Sequence, residues 1–113
     1  MTPERRLQGQ IVRAINDAPL GAWAVPNIVV QKRRKSYTDV TGLGTGSPDV
    51  YVAIAPNRHL WLEVKCDETK GVLSEAQREW HEKARSFGVR VFIVRSVAEA
   101  VRVVVSERQR LES

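Results

Sequence analysis

Residues 47–65 read Ser47-Pro48-Asp49-Val50-Tyr51-Val52-Ala53-Ile54-Ala55-Pro56-Asn57-Arg58-His59-Leu60-Trp61-Leu62-Glu63-Val64-Lys65. Two runs, 49–55 and 59–65, flank Pro56-Asn57-Arg58, the pattern of a β-hairpin with a three-residue loop. Side chains alternate faces along a strand, so the even and odd positions form separate surfaces. The even surface is Val50, Val52, Ile54, Leu60, Leu62 and Val64, every one aliphatic, and it belongs to a core. The odd surface is Asp49, Tyr51, Ala53, Ala55, His59, Trp61, Glu63 and Lys65. Centring the turn on Asn57 pairs Asp49 with Lys65 and Tyr51 with Glu63. Asp49 and Glu63 then become diagonal neighbours with backbones about 7–8 Å apart.

Carboxylates at that separation converge on one cation. Two hard oxygen ligands with room for water describe a magnesium or manganese site better than a zinc site. A lysine beside them orients or helps deprotonate an attacking water, or stabilises charge developing on a phosphate. Metal, lysine and a basic flank together suit hydrolysis of a phosphodiester. The plainer alternative is a cross-strand charge pair on a wetted sheet face. Against it, Tyr51, Ala53, Trp61 and a covering helix would leave the charged end only partly wet, where unpaired carboxylates are costly.

Working outward, Thr2-Pro3-Glu4 resembles a helix start, and Leu7, Ile11, Ala14 and Ile15 recur at helical spacing. Residues 3–17 are therefore a helix that ends before Pro19. Residues 23–32 are extended, with Pro26 marking an edge or a bulge. Residues 33–47 are basic and then glycine-rich, which predicts a mobile loop. Gly42, Gly44 and Gly46 do not make a dinucleotide fingerprint, because Ser47 fills the third glycine position and a strand follows where a helix is required.

Ser74-Glu75-Ala76-Gln77 has the form of a capping box, with Leu73, Ala76, Trp80, Ala84 and Phe87 as the apolar stripe and Gly88 as the stop. Arg90 to Val94 is a short strand buried on both faces. Ser96-x-x-Glu99 opens a last helix, although Val101 to Val105 would also suit a strand. The order helix, three strands, helix, strand, helix predicts an α/β sandwich around a mixed sheet.

The chain has 113 residues and 12.7 kDa, enough for a single domain over 1–113. A 42% hydrophobic and 27% charged composition excludes wholesale disorder and collagen-like repeats. No apolar run approaches the roughly 20 residues of a membrane span, and the start lacks a signal-peptide segment. A soluble, cytoplasmic, non-secreted protein without a membrane partner is expected. The single cysteine, Cys66, excludes an internal disulfide and a multi-cysteine zinc site; alternation points it to the core side, inert. The net charge of +5 favours an anionic partner such as nucleic acid. Much of it comes from Lys32-Arg33-Arg34-Lys35, which reads as a phosphate contact or as a solvated loop. His59 and His81 are expected to be partly exposed structural histidines. Trp23, Trp61 and Trp80 would stack on bases, or lie buried, the commoner fate of an aromatic.

These residues resemble a known family. Ser47-Pro48-Asp49 followed by Glu63-Val64-Lys65 is similar to the PD-(D/E)xK nuclease signature. Gly46 to Val50, Leu62 to Lys65, Gly71-Val72-Leu73-Ser74-Glu75-Ala76-Gln77 and Gly88 to Ser96 resemble the VRR-NUC (virus-type replication-repair nuclease) family within it. The likeness runs from about Glu4 to Ser96. It implies a restriction-endonuclease-like αβββαβ core with a mixed central sheet flanked by helices. By motif position, Asp49, Glu63 and the backbone carbonyl of Val64 would hold Mg2+, with Mn2+ able to substitute, and Lys65 would be the catalytic lysine.

Gln77 matches a glutamine beside the site, although its side chain is also wanted for the capping box. Glu4 matches an acidic residue on the first helix that reaches the metal; the alternative is an acid stabilised by the helix N-terminus. Ser47 is near enough to touch a phosphate. The implied function is a metal-dependent DNA endonuclease selective for branched DNA such as a Holliday junction, acting in replication, recombination or repair. Alternatives are a non-cleaving nucleic-acid-binding module of the same fold, or a linear-DNA or restriction-type nuclease. Cutting both strands needs two active sites, so a homodimer is expected, and the likeness points to a phage or bacterial origin.

Overall fold

The computed structural model describes residues 2–27, 30–34, 37–41, 46–67 and 71–112, with 30–34 and 37–41 for the backbone alone. In chain order the elements are α1 (Pro3–Asp17), β1 (Trp23–Pro26), β2 (Val30–Arg34), β3 (Tyr37–Thr41), β4 (Val50–Ala55), β5 (Arg58–Val64), α2 (Glu75–Ser86), β6 (Val91–Val94) and α3 (Val97–Glu112). Four strands form one sheet in the order β1-β4-β5-β6. The first two pairings are antiparallel and the last is parallel, so the sheet is mixed. α2 supplies the crossover that the parallel pair requires.

The even surface of the hairpin is buried as its alternation predicts. Val50, Val52, Ile54, Leu60, Leu62 and Val64 pack with Ile11 and Ile15 of α1 and with Ala100 and Val104 of α3. α2 lies over the opposite surface, where Trp80 meets Trp61.

Local chemistry accounts for the helices. Thr2 Oγ1 accepts the Arg5 N–H at 3.2 Å, and a proline stands at the start of α1. Ser74 and Gln77 close the predicted capping box of α2, and Gly88 takes a φ of +79° beyond its end. Ser96 Oγ accepts the Glu99 N–H at 3.1 Å to start α3. The valine-rich segment is a helix because Ala100 and Val104, one turn apart, bury the same face.

Several details differ from expectation. The hairpin turn is Pro56-Asn57, one residue shorter than predicted, with Asn57 in the left-handed region at φ 59°. An irregularity between Ala53 and Ala55 leaves Val50 opposite Leu62 and Tyr51 opposite Trp61. This register is two residues from the one centred on Asn57. A two-residue change keeps every side chain on its face.

The extended stretch 23–32 and the loop 33–47 are also corrected. β1 ends at Pro26, which has no N–H for a ladder bond. β2 and β3 then form a separate two-stranded antiparallel sheet with Lys32 opposite Asp39. Tyr37, Thr38, Val40 and Thr41 are good strand formers hidden between basic and glycine-rich neighbours. Residues 28–29, 35–36 and 42–45 lie outside the described residues.

β6 is an edge strand, so Phe92 and Ile93 are only half-buried. Phe87, at the C-cap with φ −97° and ψ 9°, leaves the helical stripe and is 79% exposed. Trp23 is 62% exposed, and Trp61 and Trp80 are half-buried, so none of the three tryptophans is fully buried. Among the described residues no helix is long and apolar enough to cross a membrane.

Candidate active site

Three pieces of chain meet at one end of the sheet: the start of β4, the end of β5 and the first turns of α2. The approach to β4 is tightly held. Gly46 has a φ of +87°, and a Cβ there would lie 2.4 Å from the Ala76 carbonyl oxygen, so the chain passes against α2 only because this residue is glycine. Asn27 Nδ2 donates to Ser47 Oγ and to the Pro48 carbonyl, both at 2.9 Å. The Asp49 carbonyl accepts from Gln8 Nε2 and from the Asn27 N–H, both at 2.8 Å. The Asp49 N–H donates to Leu62 O at 3.1 Å. The paired register ends at Val50 opposite Leu62, so this bond to Leu62 sets Asp49 one residue out of the ladder, not in the diagonal pairing expected. Asp49 Oδ2 accepts the Val64 N–H at 2.7 Å, which fixes the carboxylate over the end of β5.

Glu63 is fully buried because α2 covers the odd surface there. Its Oε1 lies 3.0 Å from His81 Nε2, and its Oε2 accepts from Gln77 Nε2 at 3.2 Å. Burial first, then hydrogen bonding and charge from Asp49, push the Glu63 carboxyl up to about 9; Glu4 adds to this and Lys65 opposes it. Glu4 is thus near enough for its charge to act on Glu63.

Lys65 follows the last residue of β5, with its backbone N–H donating to Val94 O at 3.0 Å. The side chain is buried, and Nζ donates to Gln77 Oε1 at 2.9 Å. It turns to α2, not across the hairpin to Asp49, so the cross-strand charge pair is not the arrangement formed. A Cβ on Gly71 would lie 2.8 Å from the Lys65 Cβ, and Gly71 itself is tied by its carbonyl to Arg95 Nη2 at 3.0 Å.

Gln77 corrects the expectation that one side chain would serve either the cap or the site. Its Oε1 accepts from the Ser74 N–H at 2.9 Å as well as from Lys65 Nζ, and its Nε2 donates to Glu63. A carbonyl oxygen has two lone pairs, and both are used. The amide orientation is thereby fixed at both ends, and α2 is joined to the end of β5.

His81 is the residue that sequence reasoning missed. Far from being partly exposed, it is buried against Glu63 one turn after Gln77. Burial, then the cations Arg85 and Lys65, hold its imidazole below its ordinary value. Its Nδ1 is buried with no partner among the described residues. A proton on Nε2 leaves only a lone pair unpartnered, so Nε2 is the donor towards Glu63. The available signal was the spacing Gln77-x-x-x-His81, which puts both residues on one helical face.

Ser47 is buried and engaged with Asn27. Lys32, Arg33 and Arg34 lie on β2 of the separate ribbon, and Lys35 falls outside the described residues. Asp49, Glu63, Lys65 and Gln77 are therefore brought together, with Glu4 near enough for its charge to act on Glu63. Cys66 is half-buried at the edge of this group.

Among the described residues no three His, Cys, Asp or Glu side chains form a ready-made metal cage. The donor set nevertheless suits a hard divalent cation. Burial first, and then the neighbouring Asp49, disfavour the charged form of Glu63, and a cation there would favour it.

The carboxyls of Asp49 and Glu63, Lys65 and the bridging Gln77 thus meet at one end of the mixed sheet, and the domain family that matches this chain is of nuclease type. The chain belongs to the VRR-NUC domain family, whose pattern matches residues 7–98. That span contains Asp49, Glu63, Lys65, Gln77 and His81 but not Glu4. Comparisons with curated proteins and with solved structures found no match.

Proposed function

We propose that the protein is a Mg2+-dependent DNA endonuclease of the PD-(D/E)xK fold that hydrolyses phosphodiester bonds, selective for branched DNA such as a Holliday junction. The observation that carries the reading is the chain of contacts from Lys65 Nζ through Gln77 to Glu63, with the Asp49 carboxyl alongside. Asp49, Glu63 and the Val64 carbonyl would hold the metal, with Mn2+ able to replace Mg2+ and Glu4 adding negative charge beside it. A bound divalent ion supplies the positive charge that a phosphate oxygen and an attacking water require.

The residues of the chain do the rest. Gln77 keeps the Lys65 ammonium beside the carboxylates, where it donates to a phosphate oxygen or to water. His81 and Gln77 each hold one oxygen of Glu63, fixing the plane of its carboxylate. Lys32, Arg33, Arg34 and Lys35 would contact the DNA backbone electrostatically, and Ser47 would help hold the phosphate. A homodimer would supply the second active site needed to cut two strands. The cytoplasm of a bacterial or phage-infected cell is the expected setting.

The test is cleavage of labelled linear duplex, single strand, flap and four-way junction with Mg2+ or Mn2+, with EDTA and Asp49→Ala as controls. Metal-dependent cutting that is lost in Asp49→Ala and strongest on the junction is expected. Binding without cutting on every substrate would overturn the nuclease reading in favour of a binding module.

A further inference from the structure

The odd surface of β5 does not end at Glu63. Two residues back along the same face is Trp61, and two further is His59, about 7 Å and 13 Å away at the usual strand rise. Trp61 meets Trp80 of α2 edge-on, with ring centroids 6.0 Å apart and planes at 73°. Beyond this pair, towards the C-terminal end of α2, a cleft of about 390 Å3 is lined by His59, Trp61, Trp80, Lys83, Ala84, Phe87 and Val89. Its volume lies in the range of clefts that hold small planar ligands, about 300–1,000 Å3.

We propose that this cleft is a stacking subsite for one unpaired nucleobase of the DNA strand whose phosphate lies at Asp49 and Glu63; the assignment rests on the nuclease reading above. Three observations favour this occupant. The wall is mostly aromatic, and every nucleobase offers a π-face to such a wall. Among the residues lining it, Lys83 carries the formal charge and no carboxylate is present, so a phosphodiester strand is matched in sign. The cleft lies on the same face of β5 as Glu63, with His59 about 13 Å along the strand at the usual rise, within the span of a few nucleotides of one strand.

Phe87 stands at the cleft and is 79% exposed, an aromatic without cover in the protein alone. A paired base inside a duplex cannot enter such a cleft without being unstacked and turned out, which costs least where the base is already unpaired. The subsite therefore supplies a physical reason for preferring branched or single-stranded segments to plain duplex.

The test uses an oligonucleotide carrying one 2-aminopurine, whose fluorescence falls on stacking, as a single strand and annealed to its complement. It is titrated with the full chain in EDTA, so that nothing is cut. Quenching is expected with the single strand. Phe87→Ala should weaken single-strand binding about fivefold or more, the lower end of base–aromatic stacking, with duplex binding changed less than twofold. Phe87→Tyr should bind as the wild type does. Equal effects of Phe87→Ala on both forms, or no quenching, would overturn the proposal. So would a dimer that dissociates in Phe87→Ala by sedimentation while quenching persists, which would give the cleft to a second copy.

A parallel cleavage assay with Mg2+ separates the two readings. Wild-type cutting with an unchanged single-strand preference in Phe87→Ala would overturn the subsite and keep the nuclease. Quenching lost in Phe87→Ala without any wild-type cutting would keep the subsite and overturn the nuclease.

Discussion

The two surfaces of the β4–β5 hairpin are built from alternate residues of the same two strands, yet they obey different rules. The even surface holds six aliphatic side chains that are all buried against α1 and α3. The odd surface buries Glu63 and Lys65 as well, but beside two carboxyls, an amide and an imidazole. On the even side burial is the source of stability. On the odd side burial disfavours the charged form of Glu63. A single strand can serve both ends because the alternation keeps the two surfaces from exchanging residues.

The sharpest way to separate the surfaces is to truncate one residue on each. Lys65→Ala is expected to lower cleavage about 100-fold or more, the effect of removing one well-placed electrostatic donor, with little change in the denaturation midpoint. Leu62→Ala is expected to cost about 2–5 kcal/mol, read from urea unfolding. Comparable losses of stability in both variants would break the distinction.

pH sharpens the same comparison in the metal-free protein. Glu63 titrates at about 9 in the folded chain against an ordinary 4.5, so the folded state favours its protonated form. That stability is present below about 4.5 and is lost as pH rises towards 9. The lowered imidazole of His81 works the opposite way, its stability being lost as pH falls below 6.5. Above that value only the Glu63 slope remains. Between pH 7 and 9 the melting temperature should therefore fall in the wild type and stay flatter in Glu63→Gln. Mg2+ should raise the wild-type melting temperature more at pH 8.5 than at pH 6.5. A wild-type profile flat over this range would remove the energetic contrast between the surfaces.

The smallest effect concerns Gln77. Ser74→Ala should cost about 0.5–2 kcal/mol of stability, as loss of an N-cap does, with cleavage nearly intact. Gln77→Ala should cost a similar amount and also lower kcat, because it releases Lys65 and Glu63 together. Equal kcat in the two variants would mean that the cap alone matters.

Much of this was legible in the residues. Alternation identified the buried surface, the caps located α1, α2 and α3, and the motif positions drew Asp49, Glu63, Lys65 and Gln77 into one group. What escaped depends on contacts that no local pattern encodes. The register turned on an irregularity near Ala55 and on Asn57 taking a positive φ, and both faces read alike under a two-residue change. His81 resembled an ordinary polar residue on an amphipathic helix, since its partner is 18 positions earlier. Gln77 was set between two roles because a spacing argument does not count lone pairs. The β2–β3 ribbon was hidden by a composition that reads as loop.

That ribbon has a further consequence. The chain leaves the main sheet after Pro26 and re-enters it at Val50, and at this neck the Asn27 N–H donates to Asp49 O at 2.8 Å. The insertion is therefore tied off at its base, where Asn27 also donates to Ser47 Oγ and the Pro48 carbonyl. Doubling the length of such a closed segment costs only about 0.6 kcal/mol in chain entropy. Evolution, or an engineer, is free to lengthen, shorten or exchange the arm without moving the carboxylates at its root.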